Sequence, residues 1–232
     1  MRLAHRSHFL RERPSGYGPG LAPHLTSEWK ADRWGSAESK DKVTSLFDPS
    51  GYLWRDTVSA ARNLRPEETE REIRGQIERA VALGIDPTHL DSHMGVLFNT
   101  PELFALYVKV AHEYKLPFFG YPISRRPRRI FLRPLRKGRH SGLGGHCQSF
   151  RSRKRLARFL SPGCEEPETR SHRNHLGYDD TELQAVTLDR PDYGAAGRQR
   201  DYDFVTSPEF KKALGENHVI LVKRRDFKKL VN

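Results

Sequence analysis

A chain of 232 residues can bury one substantial core, but 36% hydrophobic and 30% charged content is lean for a compact enzyme, so part of it is expected to stay outside the fold. The net charge of +12 invites a nucleic-acid or membrane-surface partner until it is mapped: residues 121–173 hold 15 Lys/Arg and 3 Asp/Glu, and the remainder balances at 26 of each sign. No run approaches the ~20 apolar residues of a membrane span, the basic N-terminus (Met1 to Pro14) lacks the apolar stretch of a secretory signal, and Cys147 and Cys164 show no Cys-x-x-Cys spacing; the reading is a soluble, cytoplasmic protein with one domain, residues 1–232, and no disulfide framework.

Residues 1–24 carry Pro14, Gly16, Gly18, Pro19, Gly20 and Pro23 with little apolar periodicity, and no element is predicted there. Pro66 followed by Glu67, Glu68, Glu70 and Glu72 predicts a helix start, with a proline in the first turn and acids at the positive end of the dipole. Ile73, Ile77, Ala80 and Val81 continue it at helical spacing, and Gly84 sits where a left-handed terminating residue is wanted. Asp86-Pro87 then turns the chain into a short predicted strand, Thr88 to His93, followed by an amphipathic helix from Pro101 to Tyr114 and a further strand opening at Leu116 to Phe119. This alternation is that of an α/β protein with a mainly parallel sheet. Residues 121–173 are basic, glycine-punctuated and aperiodic, longer than an ordinary loop inside a compact domain. Order is predicted to return from His175 to Asp226, with a helix over Pro208 to Leu214 and an apolar strand over Val219 to Val222.

The stretch Thr88-His89-Leu90-Asp91-Ser92-His93 carries the chemistry. In a strand, alternate side chains share a face, which would point His89, Asp91 and His93 the same way. Two imidazoles and a carboxylate at the C-terminal end of a parallel strand suit a divalent metal or acid/base work, and Met94-Gly95 would let the chain turn out of the sheet. A polar strand end with hydrogen-bonded histidines is the plainer alternative.

His89 to Gly95, following a helix and Gly-Ile-Asp-Pro-Thr, resembles the metal motif of YdjC-like (ChbG/HpnK-type) carbohydrate deacetylases. Upstream, Leu25-Thr26-Ser27-Glu28-Trp29, Arg33-Trp34-Gly35, Ser45-Leu46-Phe47-Asp48 and Gly51-Tyr52-Leu53-Trp54 extend the resemblance. Downstream, His175 to Asp180, Asp192 to Ala196 and Arg198 to Phe204 look like the family's C-terminal block, so the similar regions cover about residues 20–120 and 174–227. The resemblance implies a distorted or incomplete β/α barrel of the polysaccharide-deacetylase type that holds one divalent ion, Mg2+ with Zn2+ as the alternative, and removes acetyl groups from N-acetylated sugars. It implies His93 as a metal ligand, His175 as general acid beside the substrate, and Asp91 lining the site or orienting a ligand. A carbohydrate partner follows; a membrane does not, a nucleic acid is disfavoured, and a homodimer is compatible with the reading.

Two features depart from the family's pattern. No acidic pair precedes Leu25, the only acid in residues 1–24 being Glu12, so the first strand and its aspartate ligand are expected to be missing and the copy to be impaired or inactive. Ungapped alignment on Thr26 to Trp29 puts Ala22 where the family's Gly-Leu-His-Leu places its histidine; His24, two residues on, substitutes as metal ligand if a short deletion has shifted the chain, and is otherwise incidental. The basic segment and the first twenty-odd residues read as frame-shifted translation, with a polyanion-binding insertion, and a non-catalytic basic protein overall, as the alternative.

Overall fold

The structure, a computed structural model, describes residues 18–118, 175–190, 193–221, 223, 225 and 226. The basic segment 121–173, the first 17 residues and two predicted strand ends, Phe119 and Val222, lie outside the described residues. The described residues fall into two compact units, one drawn from 18–28, 33–118 and 223–226, the other from 29–32, 175–190 and 193–221.

In the first unit the elements follow their local chemistry. Helix α1 (Thr57–Asn63) is capped by Asp56, whose carboxylate accepts from Val58 N–H at 3.0 Å and Ser59 N–H at 2.8 Å. Helix α2 (Pro66–Ala82) opens on Pro66 with Glu67 and Glu68 in its first turn and buries Thr69, Glu72, Ile73, Ile77 and Ala80 along one stripe. It ends as the sequence predicts: Gly84 takes φ +77°, Gly84 N–H donates to Val81 O at 2.8 Å, and Ile85 N–H donates to Ala80 O at 3.0 Å. Helix α3 (Pro101–Glu113) is capped by the Thr100 hydroxyl and turns Leu103, Leu106, Tyr107, Val110 and Ala111 inward against α2. Ile73 and Ile77 of α2 and the inward residues of α3, with Leu25, Val43, Leu46, Leu53, Leu90, Val96 and Leu97, make one apolar cluster.

Among the described residues there is no strand, only isolated bridges, so the predicted strand at Thr88–His93 is a shorter contact than expected. Leu90 is bridged in parallel sense to Leu21 on one side and Phe118 on the other. The backbone bonds run Thr88 N–H to Pro19 O (2.9 Å), Leu21 N–H to His89 O (2.9 Å), Asp91 N–H to Leu21 O (2.8 Å) and His93 N–H to Pro23 O (3.3 Å), with Leu90 N–H to Pro117 O (2.8 Å) opposite. Pro19 and Pro23 have no N–H to return, so at both ends of the contact the bonding is one-sided and a regular ladder does not propagate.

In the second unit, α4 (Thr181–Val186) is capped by Asp180, and α5 (Ala195–Thr206) and α6 (Pro208–Glu216) follow; α6 is capped by the Ser207 hydroxyl. Helix α6 runs one half-turn past the predicted end at Leu214. The apolar strand predicted from Val219 is not formed in its described residues: Val219 N–H donates to Leu214 O at 2.9 Å, terminating α6 behind a left-handed His218 (φ +50°). Ile220 and Leu221 beyond it are 85% and 71% exposed.

Candidate functional site

Two separate segments of the first unit meet at His93. The Thr88–His93 run delivers it, and Met94 (φ +52°) and Gly95 (φ +74°) then turn the chain into short 3-10 turns over His93–Phe98. That turn is held by Ser92, whose hydroxyl accepts from Leu97 N–H at 3.1 Å, and by Thr26, whose hydroxyl donates to Met94 Sδ at 3.5 Å. Nε2 of His93 lies 3.0 and 3.1 Å from the two carboxylate oxygens of Glu28. The ring of His24 stacks on that of His93, centroids 3.9 Å apart and planes at 19°.

His24 is held by backbone. Its N–H donates to Gln76 Oε1 and its carbonyl accepts from Gln76 Nε2, both at 2.9 Å. Gln76 also donates to Glu72 at 2.7 Å, and the buried Glu72 carboxylate accepts from Ala37 N–H at 2.7 Å and Glu38 N–H at 3.0 Å. Trp34 meets the His24 ring edge-on at 5.9 Å, its own backbone N–H tied to the Ser27 hydroxyl at 2.9 Å. The indole Nε1 of Trp34 is buried without a hydrogen-bond partner among the described residues.

Burial and the neighbouring His93 charge push the His24 imidazole down to about 4, so at neutral pH it is uncharged. Burial would raise the Glu28 carboxyl, but the hydrogen bond and positive charge of His93 outweigh it and hold Glu28 below its ordinary value. Burial wins at Glu72, whose carboxyl is raised despite its backbone hydrogen bonds. The site therefore holds an ionised carboxylate on one imidazole and a neutral imidazole stacked behind it.

Among the described residues no three His, Cys, Asp or Glu side chains are arranged to hold a metal ion. Two imidazoles and a carboxylate are the right donor types for a divalent ion. Their placement is another matter: the nitrogen of His93 nearest the carboxylate faces both of its oxygens at hydrogen-bond distance, and the two rings lie face to face instead of converging. As arranged, these residues do not fit the ion that the sequence resemblance implies.

The structure thus brings together His24 and His93 of the predicted residues and adds Glu28. Asp91 is half-buried beside them in sequence, its carboxylate accepting from Ser92 N–H at 2.8 Å. His89 is a packing residue: its Nδ1 lies 2.9 Å from the Thr88 hydroxyl, and its ring covers Gly20 so closely that a Cβ there would meet Nε2 at 2.1 Å. His175 belongs to the second unit, where it is exposed and approaches the Tyr193 ring edge-on at 6.3 Å. Sequence reasoning passed over Glu28, Glu72 and Gln76. Glu28 stands inside the quoted Leu25 to Trp29 motif; Glu72 and Gln76, four apart on a helix that buries Ile73 and Ile77, share the inward stripe, and that spacing was the available signal.

A histidine–carboxylate pair thus lies where a parallel-bridged segment ends. The YdjC-like protein family model matches residues 3–216, and the chain belongs to that family. It is 39% identical over 101 residues to a carbohydrate deacetylase of Thermus thermophilus, covering 43% of this chain and 36% of that one. It is 42% identical over 86 residues to a carbohydrate deacetylase of Brevibacillus brevis, covering 36% and 32%. These matches span about a third of the length of the relatives. In fold the chain is similar to a crystal structure from Enterococcus faecalis named for cellobiose-phosphate cleavage, with a TM-score of 0.70, 20% identity, and coverage of 97% of this chain and 83% of that one.

Proposed function

We propose that this chain is a deacetylase-type hydrolase directed at N-acetylated sugars or oligosaccharides, built on a distorted β/α barrel of which the Leu21–Leu90–Phe118 parallel bridges are a part. Support comes from the family, from relatives named carbohydrate deacetylase, and above all from the Glu28–His93 pair backed by His24. Amide hydrolysis needs a proton taken from water and one given to the departing amine. An ionised Glu28 accepts Nε2–H of His93, which leaves Nδ1 as the basic nitrogen of that ring. Stacked His24 stays neutral and so adds no like charge when His93 takes up a proton. In this proposal Asp91 lines the site.

The divalent ion implied by the resemblance, Mg2+ or Zn2+, would polarise the acetyl carbonyl. Since the arrangement of the described residues does not fit it, no step is derived through it. That misfit favours a second reading, a non-catalytic family member that keeps its saccharide site and has lost hydrolysis. Acetate release from N-acetylated chito-oligosaccharides decides between them. Release by the chain and its loss in His93→Ala, with the fold checked by circular dichroism, supports the hydrolase; saccharide binding without release supports the second reading.

A further inference from the structure

The Glu28 carboxylate is placed unlike a side chain that lines a pocket. It presents both oxygens to one atom, Nε2 of His93, at nearly equal distances of 3.0 and 3.1 Å, with only partial exposure on either side. An ion bound by that nitrogen would sit about 2.1 Å from it along the lone-pair direction. The carboxylate stands across that approach. A lone pair on Nε2 and an ionised carboxylate at this separation repel unless a proton lies between them, so the contact is stable only with Nε2 protonated. A protonated nitrogen does not ligate a metal. Nor does the second imidazole compensate: the His24 ring lies flat against that of His93.

We infer that in this chain Glu28 takes the place of the divalent ion at His93, acting as a positioning residue that holds Nε2–H and closes that nitrogen to metal. The inference rests on His93 belonging to the site proposed above. It differs from that reading in its consequence: whatever the chain does with a saccharide, it does without an ion on Nε2 of His93.

The test uses the full chain, stripped with chelator, and titrated calorimetrically with Mg2+ and separately with Zn2+, beside His93→Ala and Glu28→Gln. The expected result is no Mg2+ uptake at millimolar concentration, and any Zn2+ uptake identical in the wild type and His93→Ala. One equivalent of either ion bound by the wild type and lost in His93→Ala overturns the inference. Because His93→Ala can perturb folding, a second readout uses the wild type and Glu28→Gln: histidine side-chain 1H–15N correlation spectra. These are expected to show a slowly exchanging, downfield Nε2–H on His93 in the wild type that moves upfield in Glu28→Gln; an unprotonated Nε2 in the wild type overturns the inference. Acetate release from the same samples separates the two readings. Ion binding with release removes this inference and leaves the hydrolase standing, whereas no ion and no release does the reverse.

Discussion

The side-chain amide of Gln76 pairs with the backbone of His24 as a neighbouring strand would, one 2.9 Å bond to its N–H and one to its carbonyl, across 52 residues of sequence. The helix, not a sheet, thereby fixes the segment that presents the His24 ring. Gln76→Ala leaves both backbone groups and one contact of the buried Glu72 unsatisfied. The expected cost is about 1–3 kcal/mol, read as a lower urea midpoint at unchanged slope. Gln76→Glu is expected to be worse than Ala at neutral pH, since it sets a second carboxylate against Glu72.

Arg33 is the other anchor. Its guanidinium donates to the Asp48 carboxylate at 2.9 Å and the Leu53 carbonyl at 2.6 Å, with both side chains of the pair nearly buried, and closes the turn that Gly51 (φ +83°) makes between Phe47 and Leu53. Arg33→Ala strands the Asp48 charge, at an expected cost of about 3–5 kcal/mol. Arg33→Ala combined with Asp48→Ala is expected to cost less than the single change, and equal losses in the two proteins would contradict this account.

Gly20 is a packing requirement. A methyl group there lands 2.1 Å from the His89 ring, so Gly20→Ala is expected to lose roughly 1–3 kcal/mol by overpacking. His89→Ala should relieve most of that loss in the double variant, which a thermodynamic cycle measures as a coupling energy.

Acid sensitivity follows from His24. Its folded value of about 4 lies below the ordinary 6.5, so between these pH values the unfolded chain binds a proton that the folded chain does not. Stability therefore falls as pH drops from 6.5 to 4, by up to roughly 3 kcal/mol from this group. Glu28, lowered in the fold, acts in the same sense at still lower pH: its contribution is present above its unfolded value and is lost as pH falls through its folded one. Glu72, raised by burial, has the opposite sign, its ionisation weakening the fold as pH rises. Urea midpoints at pH 7.5 and 5.0 are expected to differ more in the wild type than in His24→Gln; an equal difference would remove His24 as the source.

Much of the helical part was legible because it is written locally. Pro66 with its following acids, Gly84, and Thr100-Pro101 each fix a helix end through the few residues around it. The failures are tertiary. Val219 reads as the start of a strand by composition, yet its N–H serves the end of α6. Helix α5 escaped notice because Arg198, Arg200, Asp201 and Asp203 interrupt any apolar stripe in it. Thr88–His93 has the alternation of a strand, but what a strand becomes depends on its neighbours, and prolines at 19 and 23 limit the pairing. In the site, His93 and His24 could be singled out as imidazoles near known motifs. Glu28 could not, since its role comes from lying opposite a residue 65 positions away, and acids in a motif carry no sign of which partner they face.

The proposed hydrolase stands on His93, held by Glu28. The most direct measurement is kcat/KM for acetate release from N-acetylated chito-oligosaccharides by the wild type, His93→Ala and Glu28→Gln. Measurable release by the wild type is expected, with a loss of about 100-fold or more in His93→Ala and a smaller loss in Glu28→Gln. Release unchanged by removing the His93 imidazole, in a protein that keeps its fold, would contradict it.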